Sequence, residues 1–140
     1  FVRAARKAGF GGTFYNMSFV GTQALADELG KDGAGVVVSQ VVRSPKRTTV
    51  PSVKEYLAAI DSSDQSPTYE SLEGFIAAKA MNEAVRRAGK SADKARLQSV
   101  MTAMTDYDIG GFRINLRAGV RDAVRAIELV SITADGKIIR

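Results

Sequence analysis

The chain has 140 residues, of which 45% are hydrophobic and 25% are charged, a composition that predicts one soluble globular domain with a sizeable core and excludes a disordered or fibrous chain. Lys and Arg outnumber Asp and Glu by 20 to 15, which gives a formal net charge of +5. The chain has no Cys and no His, so disulfides, thiol chemistry and the commonest general base and metal ligand are all excluded.

The first half of the chain alternates helix and strand patterns. The last predicted strand of this half is a continuous apolar run, interrupted only by Ser39 and Gln40. Such a run is typical of a strand covered on both faces, as parallel strands flanked by helices are. The alternation therefore predicts an α/β fold with a mostly parallel sheet. In chain order the predicted elements are helix Phe1–Ala8, strand Gly12–Met17, helix Thr22–Leu29 and strand Val36–Val42.

The second half is predicted to be mainly helical before it ends in strands. Ser66 and Pro67 are typical of an N-cap and first-turn proline for the longest helix, which runs to about Ala88. Ser91 is predicted to cap a further helix that ends near Met104. The remaining predicted elements are helix Ser52–Ile60, strands Asp108–Leu116 and Val124–Thr133, and a C-terminal hairpin that turns at Ala134–Gly136 into Lys137–Arg140.

The basic residues are spread along the whole chain, without a block or a patch interleaved with aromatic residues. This distribution favours solvated faces over a phosphate-binding surface, so no nucleic-acid partner is expected.

Four acidic residues lie close together in the sequence, at Asp61, Asp64, Glu70 and Glu73. Without a histidine, a cysteine or a patterned partner they are interpreted as helix-end and surface charges. We therefore predict no catalytic residue, no metal ligand and no cofactor, and a protein that is not an enzyme.

The N-terminus, "FVRAAR", has neither an initiator Met nor the apolar stretch of a signal peptide. The chain is therefore expected to be processed or cut from a longer one. The absence of cysteine fits an exported bacterial protein.

The order of several segments carries a resemblance to a known family. "GFGGTFYNMSFVG", "GVVVSQVVRSP", "PSVKEYLAAI", "SPTYESLEGFIAAKAMNEAVRRAG", "YDIGGFRINL" and "AIELVSITADGKIIR" follow one another along nearly all of the chain. In this order they resemble the C-terminal portion of the periplasmic substrate-binding proteins of branched-chain amino acid type ABC importers. The "VVVSQVV" strand and the "YESLEGFIAAKAMNEAVRRAG" helix are the most specific parts of the match.

The resemblance implies a two-lobed α/β fold of the type I periplasmic binding proteins, with three crossover segments and a ligand cleft between the lobes. "SQVVRSPKRTTVP" would be one crossover and "YDIGGFRINL" the return. The implied division is 1–44 in the C-terminal lobe, 45–110 as crossover and N-terminal-lobe helices, and 111–140 as return crossover and C-terminal-lobe hairpin. A compact single domain with a surface loop at Arg43–Thr49 is the alternative.

By the same mapping, the sheet of the N-terminal lobe and the residues that clasp a ligand carboxylate would lie before Phe1. The helices of Ser52–Met104 would then lack the sheet on which they pack. Their apolar faces would be exposed, so the fragment is expected to associate with itself or with partners.

The stretch Tyr15–Ser18 is a candidate for binding a ligand, because strand ends in open α/β sheets direct side chains toward bound ligands. Tyr15 offers a ring, Asn16 an amide and Ser18 a hydroxyl. The resemblance implies that the position of Ser18 often holds an acid that grips a ligand ammonium group. Serine lacks that charge, so a solute without an α-ammonium is expected unless another acid substitutes. The alternative is that Tyr15 packs, Asn16 makes a turn and Ser18 caps the next helix.

The predicted function is that of a periplasmic, exported solute-binding component of an ABC importer. Its partners would be a small organic solute, amino acid-like or a carboxylic acid, and a membrane permease. A ligand-sensing module of a receptor or transcription regulator with the same fold is the alternative. A third class, a small basic nucleic-acid-binding domain, predicts steep salt-dependent binding.

Overall fold

The computed structural model describes residues 1–61, 63–90, 92–119 and 127–140. Its helices are α1 (Val2–Lys7), α2 (Thr22–Leu29), α3 (Pro51–Ile60), α4 (Tyr69–Ala88) and α5 (Lys94–Thr102). Its strands are β1 (Tyr15–Met17), β2 (Val37–Gln40), β3 (Tyr107–Asp108), β4 (Arg113–Ile114), β5 (Glu128–Ile132) and β6 (Ile138–Ile139). In the part of the chain that the structure describes, no helix combines the length and the hydropathy of a membrane span.

The chain divides into two compact units. Unit 1 comprises Phe1–Arg43, Thr68–Glu70 and Ile127–Arg140, and unit 2 comprises Ser44–Pro67 and Ser71–Ala126. The division of the sequence into 1–44, 45–110 and 111–140 concerns lobes of a larger fold and stays a prediction.

Unit 1 contains a four-stranded sheet in the order β1-β2-β5-β6. β1 and β2 pair in parallel, with Tyr15 opposite Val37, whereas β5 pairs antiparallel with both β2 and β6. The predicted α/β class and C-terminal hairpin are therefore confirmed. The sheet of these residues is mixed, however, and the expectation of a mostly parallel sheet is wrong for them, because the C-terminal hairpin enters antiparallel to β2.

One face of this sheet carries the core of unit 1. Val36, Val38, Val130 and Ile132 are almost fully buried on it, together with Ala26 and Leu29 of α2. α2 lies on this face because β1 and β2 are parallel and the helix is their crossover connection. Each fully buried aliphatic side chain of this kind contributes about 1.5–3 kcal/mol.

Unit 2 combines α3, most of α4, α5 and the β3–β4 hairpin. Its most deeply buried residues include Val53, Leu72, Ala84, Met104 and Phe112. Ser52 is also fully buried, where its hydroxyl donates to the Ile109 carbonyl and its N–H donates to the Gly110 carbonyl at 3.0 Å. These bonds fix the start of α3 to the turn of the β3–β4 hairpin.

Three local predictions differ from the structure. The predicted strand Asp108–Leu116 is two short strands, because Gly110 and Gly111 adopt φ values of 81° and 93° and turn the chain back on itself. α4 begins at Tyr69, after the predicted cap at Ser66. α5 is capped by Asp93, whose carboxylate accepts the Arg96 N–H at 2.7 Å.

Two predicted features fall wholly or partly outside the described residues. The predicted cap Ser91 is one, and residues 124–126 of the last predicted strand are the other. The rest of that strand is confirmed as β5, and the turn that follows it contains Gly136 at a φ of 77°.

Candidate functional site

The carboxyl ends of β1 and β2 meet at one edge of the unit 1 sheet, because the two strands are parallel with Met17 opposite Ser39. Immediately after β1 the chain makes a 3₁₀ turn, Ser18–Val20, and then enters α2 through Gly21 at a φ of 41°. Ligands of open α/β sheets bind outside the carboxyl ends of the strands. We therefore take this edge as the candidate site.

The three residues singled out in the sequence all lie in or next to β1, but they do not converge. Tyr15 and Asn16 are successive strand residues, so their side chains point to opposite faces of the sheet. Tyr15 is exposed, and Asn16 is half-buried with its Oδ1 accepting the Met17 N–H at 2.9 Å. Ser18 is half-buried and opens the 3₁₀ turn at the edge itself.

The same edge holds a polar cluster made of Thr22, Gln40 and Glu70. The Thr22 N–H donates to Glu70 Oε1 at 2.8 Å, and Gln40 Nε2 donates to Thr22 Oγ1. Thr22 and Gln40 are both almost fully buried. Gln40 Oε1 is buried without a hydrogen-bond partner in the described part of the chain. The Glu70 carboxylate thus caps the N-terminus of α2, a position at which the helix dipole favours a negative charge.

Sequence reasoning missed this cluster because its members are up to 48 residues apart. Glu70 was interpreted as a helix-end or surface charge, and it does lie in the first turn of α4, but its carboxylate serves α2. The sequence feature that could have indicated the cluster is Gln40, a polar side chain in a predicted strand that is otherwise mostly apolar.

A cavity of about 430 Å³ lies in unit 1 between α1, β1 and α2, and Tyr15 and Asn16 are among its lining residues. Most of its wall is apolar, and Phe1 meets Phe14 edge-on with ring centroids 6.0 Å apart. Arg3 and Glu28 also line it, paired at 3.0 Å. The cavity could therefore hold an apolar group of a ligand. It is less suited to a charged group, because Arg3 and Glu28 already neutralise each other. The other apolar residues in its wall are Val2, Leu25, Leu29 and Val36.

A second cavity, of about 440 Å³, lies in unit 2 and is more polar. Lys79 Nζ donates to Ser52 Oγ at 2.9 Å and pairs with Glu55. Hydrogen bonds from Arg86 and Arg87 lower the pKa of the Glu83 carboxyl to about 2. Because the lysine and the Glu83 carboxylate are already matched by charges from the protein itself, this cavity is a weaker candidate for a charged ligand.

Neither a metal site nor a catalytic constellation is found among the described residues. No group of three or more acidic, His or Cys side chains in that part of the chain could hold a metal ion. The acidic residues Asp61, Asp64 and Glu73 are exposed.

Comparison with known proteins decides the family. The profile of the periplasmic binding protein family matches residues 1–137. The chain belongs to this family. The members of this family are solute-binding proteins and not enzymes, and family membership implies an exported, periplasmic location. No curated protein matches the sequence at a significant level.

Solved structures of the periplasmic binding protein fold superpose closely on the chain. A substrate-binding periplasmic protein from Ralstonia solanacearum has a TM-score of 0.83 at 28% identity, over 99% of this chain and 40% of that one. A possible leucine/isoleucine/valine-binding protein from Rhodopirellula baltica SH 1 has a TM-score of 0.81 at 26% identity, over 99% and 38%. A leucine binding protein from Thermotoga maritima has a TM-score of 0.78 over 98% and 38%, and at 19% identity it shows the fold alone. The chain therefore spans about 40% of the length of the periplasmic binding proteins it matches.

Proposed function

We propose that these 140 residues are the C-terminal portion of the solute-binding component of an ABC importer. In the complete protein this component acts in the periplasm, captures a small organic solute in the cleft between two lobes, and delivers it to a membrane permease. The match of the family profile to residues 1–137 carries the proposal. The edge formed by the carboxyl ends of β1 and β2 supports it, because that is where open α/β sheets bind ligands.

We propose Ser18, Asn16 and Tyr15 as the ligand-binding residues that this chain contributes. Ser18 lies at the sheet edge and offers a hydroxyl. Asn16 and Tyr15 are among the residues that line the unit 1 cavity; Asn16 offers an amide, and Tyr15 offers a ring face on the opposite face of the sheet. Since their side chains leave β1 on opposite faces, we do not assign them to contact the same group of the solute.

The charges at this edge favour a solute without an α-ammonium group. Removing an ammonium from water costs several kcal/mol unless a charged partner compensates, and Ser18 supplies no charge. The carboxylate of Glu70 belongs to this edge, but its Oε1 is engaged with the Thr22 N–H at the start of α2. We therefore propose that the solute is a small aromatic or aliphatic carboxylic acid rather than the corresponding amino acid.

Calorimetry on the complete protein tests the solute class with matched pairs, such as leucine against 4-methylpentanoate and valine against 3-methylbutanoate. The acid of each pair is expected to bind more tightly, by about tenfold for each 1.4 kcal/mol of unpaired charge cost. Tighter binding of the amino acids would contradict the acid preference while leaving the solute-binding function in place. Binding of none of a broad panel of small acids and amino acids would count against the function itself.

A substitution sharpens the test. Ser18→Glu adds a carboxylate at the sheet edge and is expected to weaken binding of the acid. Ser66→Glu is the matched control, because Ser66 is exposed in the segment before α4 and the change adds the same charge. Equal effects of the two variants would remove Ser18 from the proposed site.

A further inference from the structure

Arg43 is a half-buried cation of unit 1, three residues after Gln40 at the end of β2. In the part of the chain that the structure describes, its guanidinium has neither a hydrogen bond nor an ion pair. The other three arginines of unit 1 each have a partner: Arg3 pairs with Glu28, Arg6 with the Ala34 carbonyl, and Arg140 with Glu128. Partial burial removes water from a charge, and a bound anion offsets that cost. Arg43 is therefore available to an anion that binds from outside.

Arg43 and Ser18 belong to the same edge of the sheet. β1 and β2 run parallel with Met17 opposite Ser39, so the chain leaves both strands at this edge. Ser18 directly follows β1, and Arg43 follows β2 by three residues. Even if the chain after β2 were fully extended, the two Cα atoms would lie within about 16 Å of each other. One small solute can therefore contact the Ser18 hydroxyl and the long Arg43 side chain together.

Exposed apolar side chains lie at this edge as well. Phe19 is 82% exposed and Val20 is 41% exposed in the 3₁₀ turn that follows β1. Val41, the residue directly after β2, is 38% exposed. The Phe19 ring meets no other aromatic ring among the described residues. An edge that offers a guanidinium, a hydroxyl and apolar side chains is complementary to a carboxylate on a hydrocarbon or aromatic body.

Two carboxylates of the protein also belong to this edge, and each has a partner of its own. Glu70 accepts the Thr22 N–H at 2.8 Å. Glu128, opposite Gln40 in the register of β2 and β5, pairs with Arg140 at 3.4 Å. An anion that neutralises Arg43 is therefore expected to come from a bound solute.

We propose that Arg43 is the charge partner of the solute's carboxylate, that Ser18 donates a hydrogen bond to the same carboxylate, and that Phe19 contacts the hydrocarbon body. This assignment rests on the function proposed above and adds to it. Ser18 accounts only for the exclusion of an ammonium group, whereas Arg43 accounts for the attraction of an acid. A guanidinium binds a carboxylate through two parallel N–H···O bonds, which a neutral solute of the same shape cannot accept with equal strength.

Calorimetry on the complete protein tests the role of Arg43 through the charge of the solute. The tighter-binding acid of 4-methylpentanoate and 3-methylbutanoate is compared with its uncharged primary amide. Arg43→Gln is expected to weaken binding of the acid by at least about tenfold and to change binding of the amide by less than about threefold. Lys46→Gln is the matched control, because it removes one positive charge from an exposed side chain three residues further along the chain. It should change binding of either solute by less than about twofold.

Thermal unfolding separates a binding role from a structural one. Without solute, Arg43→Gln should keep the unfolding midpoint of the wild type, and it should lose the rise in midpoint that the acid gives. Arg43→Lys keeps the charge without the planar fork, so it should bind the acid with intermediate affinity, and it keeps the test valid if Arg43→Gln fails to fold.

Wild-type affinity for the acid in either Arg43 variant, or equal losses for the acid and the amide, would overturn this inference and leave the solute-binding function in place. Failure of the wild-type protein to bind either acid would overturn it as well. The wider panel of small acids and amino acids then decides whether the solute-binding function stands.

Discussion

At the residue scale, the polar cluster at the carboxyl edge of the sheet shows how a side chain can serve an element distant in sequence. α2 begins after Gly21, which has no side chain to cap it, and the Glu70 carboxylate accepts the Thr22 N–H instead. The first N–H groups of a helix have no partner within the helix, and a carboxylate there is favoured by both the hydrogen bond and the dipole.

Glu70→Gln should therefore destabilise the protein by about 1 kcal/mol, since the amide keeps the shape of the carboxylate but loses its charge. Glu73→Gln is the matched control, on the same helix with an exposed side chain, and should change stability by less than about 0.5 kcal/mol. Urea unfolding of the complete protein measures both variants. Equal unfolding midpoints would show that Glu70 does not stabilise α2.

At the element scale, the β3–β4 hairpin depends on two glycines in the left-handed region. A Cβ on Gly110 would lie 2.7 Å from Ser52 Oγ and 3.3 Å from its backbone nitrogen, and Gly110 has a φ of 81°. Ser52 is held there by bonds to the Ile109 and Gly110 carbonyls, so it has little freedom to move aside. A Cβ on Gly74, in α4, would meet nothing within 4 Å beyond the backbone of its own helix.

Two glycine-to-alanine substitutions should therefore change the stability of the protein in opposite directions. Gly110→Ala should destabilise the protein by roughly 2 kcal/mol, because the left-handed backbone geometry and the contact with Ser52 both oppose the added methyl group. Gly74→Ala should stabilise by about 0.5–1 kcal/mol, because alanine loses less conformational freedom in a helix. Thermal unfolding of the two variants alongside the wild type checks the pair. A Gly110→Ala protein as stable as the wild type would show that the hairpin turn relaxes easily.

At the scale of the whole molecule, each unit exposes apolar surface. Unit 1 exposes Tyr15, Met17 and Leu129 on one face of its sheet, and unit 2 exposes Met81 and Val85 on α4. The expectation that the fragment associates with itself rests on such surfaces and stays a prediction.

Light scattering of the isolated 140-residue chain should give a molar mass above the 14.9 kDa of a single copy. The double variant Met17→Lys/Leu129→Lys should shift it toward the monomer, because both residues are exposed on the same face of the sheet and two charges there oppose apolar contact. Ala24→Lys adds one charge to the exposed side of α2 and should have little effect. A wild-type monomer with cooperative melting would contradict this prediction.

The sequence by itself determined the α/β class, the family and most of the elements. α2 was predicted with its observed bounds, and β2, α3 and the C-terminal hairpin within a few residues, because apolar periodicity and glycines at helix ends are local signals. Only the tertiary structure decided the mixed pairing of the sheet, the cap of α2 by Glu70, and which of the two faces Tyr15 and Asn16 each project from. The first two depend on contacts between residues far apart in the chain, which local propensity does not encode. The third depends on which face of the sheet α2 covers, whereas the predicted strand Gly12–Met17 already places adjacent residues on opposite faces.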